Sequence, residues 1–270
     1  MKKILLNGPY SDELGNKVIC EEVANFLKVE VTFKGKNNIL IIANGNGNLA
    51  NLNISFPSDN GVCIIGKNPQ KSKPKGSIRV GFNSLLMIGD GVTCTDPFFL
   101  CSVEQTKILI GDDCMFATNI HVRTDTAHAI YDVETGRRLS LSEDIVIGAH
   151  TWISFAAKIF GGSCIGDGSI VGINSITKTV YPNNCTIAGS PGKCVRKNIA
   201  WERPNIGTTT PWIKAKASQI KKTEIYWNMT DEKGRLPRLG EGYINLYRLL
   251  KLHCPDSLWL EDVSKLINKT

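Results

Sequence analysis

The sequence predicts a mainly β fold in which short parallel strands wind in coils around a core of triangular cross-section. Two observations predict it: branched apolar residues recur at every sixth position, and small residues occupy fixed places within the same step. The clearest run, residues 147–176, divides into IGAHTW, ISFAAK, IFGGSC, IGDGSI and VGINSI. An amphipathic helix does not repeat every six residues, and neither does a simple alternating strand.

Each six-residue unit fits one short strand followed by a tight corner, and three units close one coil. The branched residue that leads each unit points inward and stacks on its counterpart in the next coil. Small side chains fit near the corner, where space is short, and glycine supplies backbone angles that other residues resist. Stacked coils pair as parallel strands about 4.8 Å apart, so open sheet edges remain only at the two ends.

The same pattern extends towards the N-terminus in a looser form. Ile88–Val92 and Ile110–Cys114 match it, and irregular strands with Asn and Gly corners precede them. We therefore predict three parts: an N-terminal cap over residues 1–37, coils over 38–197 and a C-terminal extension over 198–270.

Helices are predicted in the cap and in the extension. In the cap, Asp12 to Leu27 is predicted to form a helix and Val29 to Phe33 a strand. In the extension, Tyr243 to Leu252 and Leu258 to Ile267 are predicted to form two short helices. The sequence leaves open whether the extension holds an anionic glycan or packs on a neighbouring subunit.

Composition excludes several classes of protein. No apolar run approaches the roughly twenty residues of a membrane-spanning helix, and residues 1–15 lack the apolar core of a signal peptide. We therefore expect a cytoplasmic protein that works in solution or at the inner face of the membrane. The nine cysteines are odd in number and scattered without a CxxC pair, which predicts reduced packing residues rather than disulfides or zinc ligands.

The net charge of +7 suits acidic ligands such as a phosphorylated cofactor or an anionic glycan. No basic run is interleaved with aromatic residues, so nucleic acid is not an expected partner.

The repeats over residues 78–197 resemble those of the hexapeptide-repeat acyltransferases, whose fold is a left-handed parallel β-helix. General rules for parallel connections favour the right hand, so the left hand is implied by the resemblance alone. Within the family, the sequence is most similar to the enzymes that O-acetylate bacterial capsular polysaccharides and polysialic acid.

Two segments at the end of the repeats resemble the acetyl-coenzyme A channel of this family. The turn IAGSPGK, residues 187–193, matches the family's terminal segment, with Gly192 where alanine is usual. The stretch GINSITK, residues 172–178, matches the segment that holds the pantetheine arm, but it is one residue shorter. The resemblance implies that acetyl-coenzyme A is the acetyl donor and that its contacts are Ile173, Thr177, Lys178, Lys193 and Arg196. The alternative is that these are ordinary corner residues and surface cations.

A polar stretch, residues 121–143, interrupts the repeats and contains one of only four histidines. Its segment DTAHAIYD, residues 125–132, resembles the loop signature of capsular-sugar acetyltransferases, and the following IGAHTWI, residues 147–153, resembles the coil after that loop. The resemblance implies that His128 is the catalytic base and that Trp152 lines the site. A neutral imidazole can take the proton of a sugar hydroxyl near pH 7. Asp125 and Asp132 are both candidates for orienting the imidazole.

The resemblance implies an O-acetyltransferase that moves acetyl directly from acetyl-coenzyme A to a sugar hydroxyl of a bacterial surface glycan. That glycan is either a capsular polysaccharide, which can contain sialic acid, or an O-antigen. The resemblance also implies a homotrimer with sites between adjacent β-helices, and no metal. The alternative acceptor is small: a nucleotide sugar, a free sugar, a xenobiotic or serine. A polymer acceptor predicts a long open groove, and a small acceptor predicts a closed pocket.

Two other classes can be built on the same scaffold. A γ-type carbonic anhydrase needs three histidines on zinc, but the spacings of His121, His128 and His150 do not match the expected set. The second alternative class is a non-catalytic β-helix, such as a scaffold or a sugar-binding module. Of the remaining histidines, His150 occupies a variable repeat position and is predicted to be exposed, and His253 is predicted to be structural.

Overall fold

The computed structural model describes residues 1–21, 26–45, 49–69, 73–208, 225–233 and 236–267. Three sheets form the sides of a triangular prism. From Leu85 onward each coil contributes one strand to each sheet, whereas the earlier coils contribute strands to two of the sheets only. Sheet A contains, in spatial order, β1 (Lys2–Leu5), β4 (Phe26–Phe33), β6 (Leu49–Phe56), β8 (Gly76–Val80), β11 (Phe98–Ser102), β14 (His121–Arg123), β17 (Lys158–Phe160) and β20 (Ile176–Thr177).

Sheets B and C complete the prism. Sheet B contains, in spatial order, β2 (Tyr10–Ser11), β3 (Lys17–Ile19), β5 (Ile39–Ile42), β7 (Val62–Ile65), β9 (Leu85–Ile88), β12 (Lys107–Ile110), β15 (Ile145–Ile147), β18 (Cys164–Ile165) and β21 (Val180–Tyr181). Sheet C contains β10 (Thr93–Cys94), β13 (Met115–Phe116), β16 (Trp152–Ile153), β19 (Ile170–Val171), β22 (Thr186–Ala188) and β23 (Lys193–Arg196). All pairs are parallel except β1–β4, β2–β3 and β22–β23.

The prism interior is filled by columns of apolar side chains in register. One column in sheet B runs through Ile65, Ile88, Ile110, Ile147 and Ile165, and every member is almost fully buried. This confirms the inward stacking of the residue that leads each repeat unit. The nine cysteines are all free.

Coil length explains why the repeat is clear only near the end of the prism. Ile147 and Ile165, which pair directly, are eighteen positions apart, so their coil consists of three six-residue units. Earlier coils carry extra corner residues: Asn37, Asn60 and Asn83 all adopt positive φ, recur every 23 positions and form a ladder of side-chain amide hydrogen bonds. Asparagine tolerates this left-handed conformation better than most residues.

Of the predicted helix from Asp12 to Leu27, the structure describes residues 12–21 and 26–27, and none of them is helical. The prediction is wrong for these residues. This segment contains β3 and the start of β4, which pair in parallel with β5 and β6, so the coil ladders begin inside the predicted cap. The Asp12 carboxylate accepts the N–H groups of Leu14 and Asn16, which makes a turn where the helix was expected. The predicted strand Val29–Phe33 is confirmed within β4, where alternate residues are buried.

Both predicted C-terminal helices are confirmed: α1 spans Gly242–His253 and α2 spans Leu260–Ile267, and a short 3₁₀ helix spans Ile206–Thr208. The helices cover the outer face of sheet B. Tyr243 and Leu246 on α1 and Val263 on α2 belong to a buried cluster with outward residues of that sheet, among them Met87 and Leu109. The extension therefore packs on its own chain. Among the described residues, no helix has the length and apolar character needed to cross a bilayer.

Lys107 links the extension to the coils. Its side chain is only 10% exposed, and its ammonium group lies 4.9 Å from the centre of the Trp259 ring. It donates to Asp262 of α2 at 3.2 Å and also to Asp144, the residue just before β15. A nearly buried cation is stable when it is paired and hydrogen-bonded in this way. Lys107 thus joins α2 to the end of the polar stretch predicted over 121–143.

Asp112 accepts a hydrogen bond from the first residue of α1. Its carboxylate accepts the N–H of Gly242 at 2.7 Å and the N–H of Asp90 at 2.8 Å. Burial raises the pKa of this carboxyl group to about 7, and the neighbouring carboxylates of Asp90 and Asp113 act in the same direction, although the N–H donors oppose the shift. The charged form is therefore disfavoured in the folded protein.

This shift predicts a pH-dependent stability that Asp112→Asn removes. Because the folded pKa lies above the unfolded one, the contribution of Asp112 is fully present below about pH 4 and is lost as the pH rises to about 7. The total loss is at most about 4 kcal/mol. Thermal melts of both proteins should be compared between pH 4.5 and 8.5. The wild type should lose stability relative to Asp112→Asn as the pH rises to about 7, and the difference in stability should stay constant above that pH. The exposed carboxylate variant Asp256→Asn is the control, and a difference that does not change with pH contradicts the prediction.

Candidate active site

The polar stretch forms an ordered loop that leaves the prism after β14 of sheet A and returns at β15 of sheet B. Its two arms are paired: the N–H of Asp132 donates to the Arg137 carbonyl at 2.8 Å, and the N–H of Leu139 donates to the Ile130 carbonyl at 2.7 Å. Gly136 adopts a positive φ at the tip. The loop is rooted at the corner between sheets A and B, which faces away from sheet C.

A carboxylate from the preceding coil anchors this loop. Both guanidinium NH₂ groups of Arg138 donate to the two oxygens of Glu104, at 2.5 and 2.8 Å. The hydroxyl of Ser142 also donates to Glu104, and Arg138 donates to the Ser140 carbonyl. A two-point Arg–carboxylate pair fixes orientation as well as distance. Sequence reasoning missed this anchor because its partners are 34 positions apart.

Short-range hydrogen bonds fix the backbone that carries His128. Its carbonyl accepts the hydroxyls of Thr126 at 2.9 Å and Ser140 at 3.3 Å. Ala127 has a φ of 65°, a conformation that costs a residue with a Cβ about 1 kcal/mol, and its N–H donates to Asp125 at 2.9 Å. The loop therefore holds the His128 backbone in one place while its side chain is exposed.

The two predicted orienting carboxylates hold the loop rather than the imidazole. Asp125 accepts Arg123 at 2.9 Å in addition to the Ala127 N–H. Asp132 accepts the N–H and hydroxyl of Thr135, and these hydrogen bonds lower the pKa of its carboxyl group. Within the described part of the chain, the His128 imidazole is hydrogen-bonded to neither.

A cavity of about 350 Å³ lies beneath the loop. Arg123 and Asp125 contribute to its wall from the start of the loop, Phe160 from β17, and Lys178 from the corner that follows β20. The structure therefore brings Lys178, a predicted cofactor contact, close to the loop that carries His128.

Trp152 lies on a different side of the prism. It is half-buried in sheet C, between Met115 and Ile170 in register, and its ring is 5.9 Å from that of Trp201 in the extension. Within one chain, the loop corner and Trp152 are thus separated by the body of the prism.

The other predicted cofactor contacts are also dispersed. Ile173 is exposed at the corner between sheets C and A, and Lys193 and Arg196 are exposed on β23 at the end of sheet C. Thr177 is fully buried and its hydroxyl lies 3.0 Å from that of Ser163. The Thr177 side chain occupies an interior column, so any contact of this residue with a ligand would be made through its backbone.

The geometry around Gly192 explains why this chain has glycine where the family's terminal segment usually has alanine. A Cβ at this position would lie 2.9 Å from the Ile176 carbonyl oxygen and 3.1 Å from the Ile187 side chain. The Gly192 N–H donates to that same Ile176 carbonyl at 2.7 Å. The close approach of the two backbones favours glycine here.

His150 is buried, contrary to the sequence-based expectation. Its ring is stacked between Trp201, at 4.1 Å, and Tyr226, at 4.3 Å. Nδ1 lies 2.6 Å from Asp113, and Nε2 lies 3.1 Å from the Trp201 carbonyl. Arg203 completes the cluster by donating to Asp113. His150 therefore fastens the extension to the prism, and both of its nitrogens are occupied, which argues against a zinc site built from His121, His128 and His150.

His121 lies on the outer face of sheet A, at the start of the loop. Burial, together with the nearby cations Lys158 and Arg123, lowers the pKa of its imidazole. Its ring lies 5.6 Å from that of Phe99. The described residues contain no cluster of three or more His, Cys, Asp or Glu side chains with metal-site geometry.

No protein-family model matches the sequence. The chain is 33% identical, over 134 residues, to the polysialic acid O-acetyltransferase of Escherichia coli O1:K1 / APEC. The match covers 50% of this chain and 43% of that relative, so the chain spans less than half of the relative's length.

Two solved structures are similar over most of their length. The polySia-specific acetyltransferase NeuO has a TM-score of 0.63 and 28% identity, and the match covers 78% of this chain and 89% of that one. The polysialic acid O-acetyltransferase OatWY has a TM-score of 0.54 and 25% identity, covering 74% and 95%. These similarities confirm the predicted left-handed parallel β-helix.

The Glu104 anchor predicts a measurable change in loop order. Glu104→Gln removes the charge that holds Arg138, so we expect the loop to open more often and trypsin to cleave after Arg137 or Arg138 several times faster. Limited proteolysis with mass spectrometry measures this rate. Glu134→Gln is the matched control, because the structure shows no hydrogen bond to its carboxylate among the described residues. Equal cleavage rates in the two variants contradict the role of Glu104.

Proposed function

Because the chain belongs to the hexapeptide-repeat acetyltransferase family, we propose that it transfers acetyl from acetyl-coenzyme A to a sugar hydroxyl of a bacterial surface glycan. The observation that carries this proposal is the anchored loop, which presents an exposed histidine and covers a cavity on the β-helix. The polysialic acid O-acetyltransferases to which the chain is similar favour an acceptor in a capsule or an O-antigen.

His128 is the general base in this proposal. A sugar hydroxyl is a weak nucleophile because its pKa is high, so the imidazole removes its proton as the oxygen attacks the thioester carbonyl. The tetrahedral intermediate carries an oxyanion that a hydrogen-bond donor must stabilise. It collapses by expelling the coenzyme A thiolate, a good leaving group, so that no acyl-enzyme is required. The anchored backbone around His128 supports this role because it places the base without using the imidazole itself.

A homotrimer with sites between subunits is part of the proposal. Trp152, Lys193 and Arg196 lie on the side of the prism that faces away from the His128 loop, so a complete site needs the loop of one copy against sheet C of the next. Exposed apolar side chains support such a contact, on the loop and on the corner between sheets C and A: Ile130, Tyr131, Val133, Leu139, Leu141, Phe155 and Ile173. Val133 is 97% exposed in the single chain, and burying such side chains between copies would stabilise the assembly.

Lys178, Lys193 and Arg196 are the proposed contacts for the phosphates of acetyl-coenzyme A. Each is exposed, as a group that meets a charged ligand must be, and lysine binds a phosphate as a point charge. Ile173, also exposed, would contact the pantetheine arm.

The proposal predicts that His128→Ala lowers the rate of thiol release from acetyl-coenzyme A by about 10²–10⁴-fold. The assay compares sialic acid polymers, neutral capsular polysaccharides, nucleotide sugars and simple galactosides as acceptors. His253→Gln changes a histidine far from the loop and is the matched control. The binding of acetyl-coenzyme A should change little in His128→Ala, because the base acts on the acceptor.

Two outcomes contradict the proposal in different ways. If His128→Ala retains the wild-type rate, the base lies elsewhere. If the wild type binds no acetyl-coenzyme A and releases no thiol with any acceptor, the transferase assignment fails. If small acceptors alone support thiol release, the proposed acetyl transfer stands, but the acceptor is a small molecule rather than a glycan.

A further inference from the structure

The turn before β12 and the first residue of that strand hold the two roots of the interrupting loop, the points where it leaves β14 and returns to β15. The leaving root is Thr124, whose hydroxyl accepts a hydrogen bond from the Thr106 hydroxyl at 2.8 Å. The returning root is Asp144, which Lys107 holds. The roots are also joined to each other, because the Glu143 N–H donates to the Thr124 carbonyl at 3.2 Å. The place of the loop on the prism is therefore set by this pair of roots.

Lys107 holds Asp144 with both its backbone and its side chain. The Lys107 N–H donates to one carboxylate oxygen of Asp144 at 2.9 Å, and the Lys107 ammonium group donates to the other. The backbone of Asp144 is fixed as well, since its carbonyl accepts the Gly162 N–H at 3.0 Å. A carboxylate that is held at both oxygens has a fixed orientation as well as a fixed position. Lys107 thus decides where the chain re-enters the prism after the loop.

The extension shields this contact from water. The Lys107 side chain is only 10% exposed, because the Trp259 ring lies 4.9 Å from its ammonium group and Asp262 of α2 accepts a hydrogen bond from it at 3.2 Å. An ion pair that lies open to solvent contributes little to stability, because water competes for both groups. The pair between Lys107 and Asp144 therefore gains strength from the docking of α2.

The charges make Lys107 the centre of this contact. Its ammonium group lies between two carboxylates, Asp144 from the loop root and Asp262 from α2. Without the cation, the two carboxylates would face each other with like charge, which is unfavourable at a site that is partly removed from water. The loop root and α2 are therefore held together by one shared positive charge.

We propose that Lys107 is a positioning residue for acetyl transfer, through which the docking of the extension sets the place of the His128 loop. This inference rests on the proposed role of His128 as the general base. A base acts only within hydrogen-bond reach of the proton that it takes, and a displacement of about 1 Å can lower the rate about 100-fold. The extension then serves the active site although it contributes no group to the chemistry.

The test follows the order of the loop and the rate of thiol release in the full chain. Lys107→Met keeps an unbranched apolar side chain and removes the charge. Amide hydrogen exchange should become several times faster at Asp132 and Leu139, whose N–H groups pair the two arms of the loop, but not at Gly148, which pairs with the next coil. The kcat should fall about tenfold or more at a temperature at which melts show the variant folded. The KM for acetyl-coenzyme A should change little, because the proposed cofactor contacts are not part of the loop.

Two further variants separate positioning from folding. Lys107→Arg keeps the charge and should restore most of the kcat and of the exchange protection. Asp262→Asn leaves Lys107 in place and weakens its contact with α2 from the half-exposed side, so the same two readouts should change in the same direction by a smaller factor. The matched control is Glu261→Gln, the neighbouring position on α2, whose carboxylate pairs with Lys265 on the helix surface at 2.7 Å.

Each outcome separates this inference from the proposed function. Equal loop exchange in Asp262→Asn and Glu261→Gln overturns the link between α2 and the loop. A Lys107→Met protein that melts at a lower temperature but keeps the wild-type kcat and loop exchange also overturns it, since Lys107 then only fastens the extension. Thiol release that is lost in His128→Ala but unchanged in Lys107→Met keeps the proposed function and rejects the positioning role. Faster loop exchange in Lys107→Met, in a protein whose wild type never releases thiol, keeps the link and rejects the transferase.

Discussion

The backbone pairing of each coil with the next is the constraint on which the rest of this structure depends. In a parallel β-helix, nearly every strand N–H and carbonyl group must find its partner one coil away, because an unpaired buried group costs free energy. This pairing fixes the register, and the register then decides which side chains enter the interior column that includes Ile88, Ile110 and Ile147. It also decides which side chains point outward, and so it orders the surface as strictly as the core.

The same register gives the three outer faces different roles. Sheet B is apolar on both faces at VCII and LLMI, and its outer side is buried under α1 and α2. At KILI the outer face also carries Lys107, which pairs with α2. Sheet A aligns charged and aromatic side chains on its outer face, where Phe99, His121 and Lys158 are direct neighbours. Sheet C, which is left with half-buried apolar residues and Trp152, is the face that a neighbouring copy would have to meet if the site is shared between subunits.

The loop and the extension are insertions that this regular body keeps in place. Glu104 holds the loop from the coil below it, and Lys107 joins the end of the loop at Asp144 to Asp262 of α2. His150 fastens the other part of the extension through Asp113 and two aromatic rings. The loop that carries the exposed His128 is therefore held by Glu104 and Lys107, which lie far from it in sequence.

The sequence alone predicted the coils and the two terminal helices, because both rest on local spacing: six residues for the coils and the apolar periodicity of a helix for α1 and α2. It also marked the loop that interrupts the coils and carries His128. It failed where the outcome depends on distant partners. The segment after Asp12 became strand because β5 and β6 offered it an open ladder, and His150 became buried because Trp201 and Tyr226 close over it. The anchor at Glu104 has no local signature, since it exists only when folding brings Glu104 beside Arg138, 34 positions away.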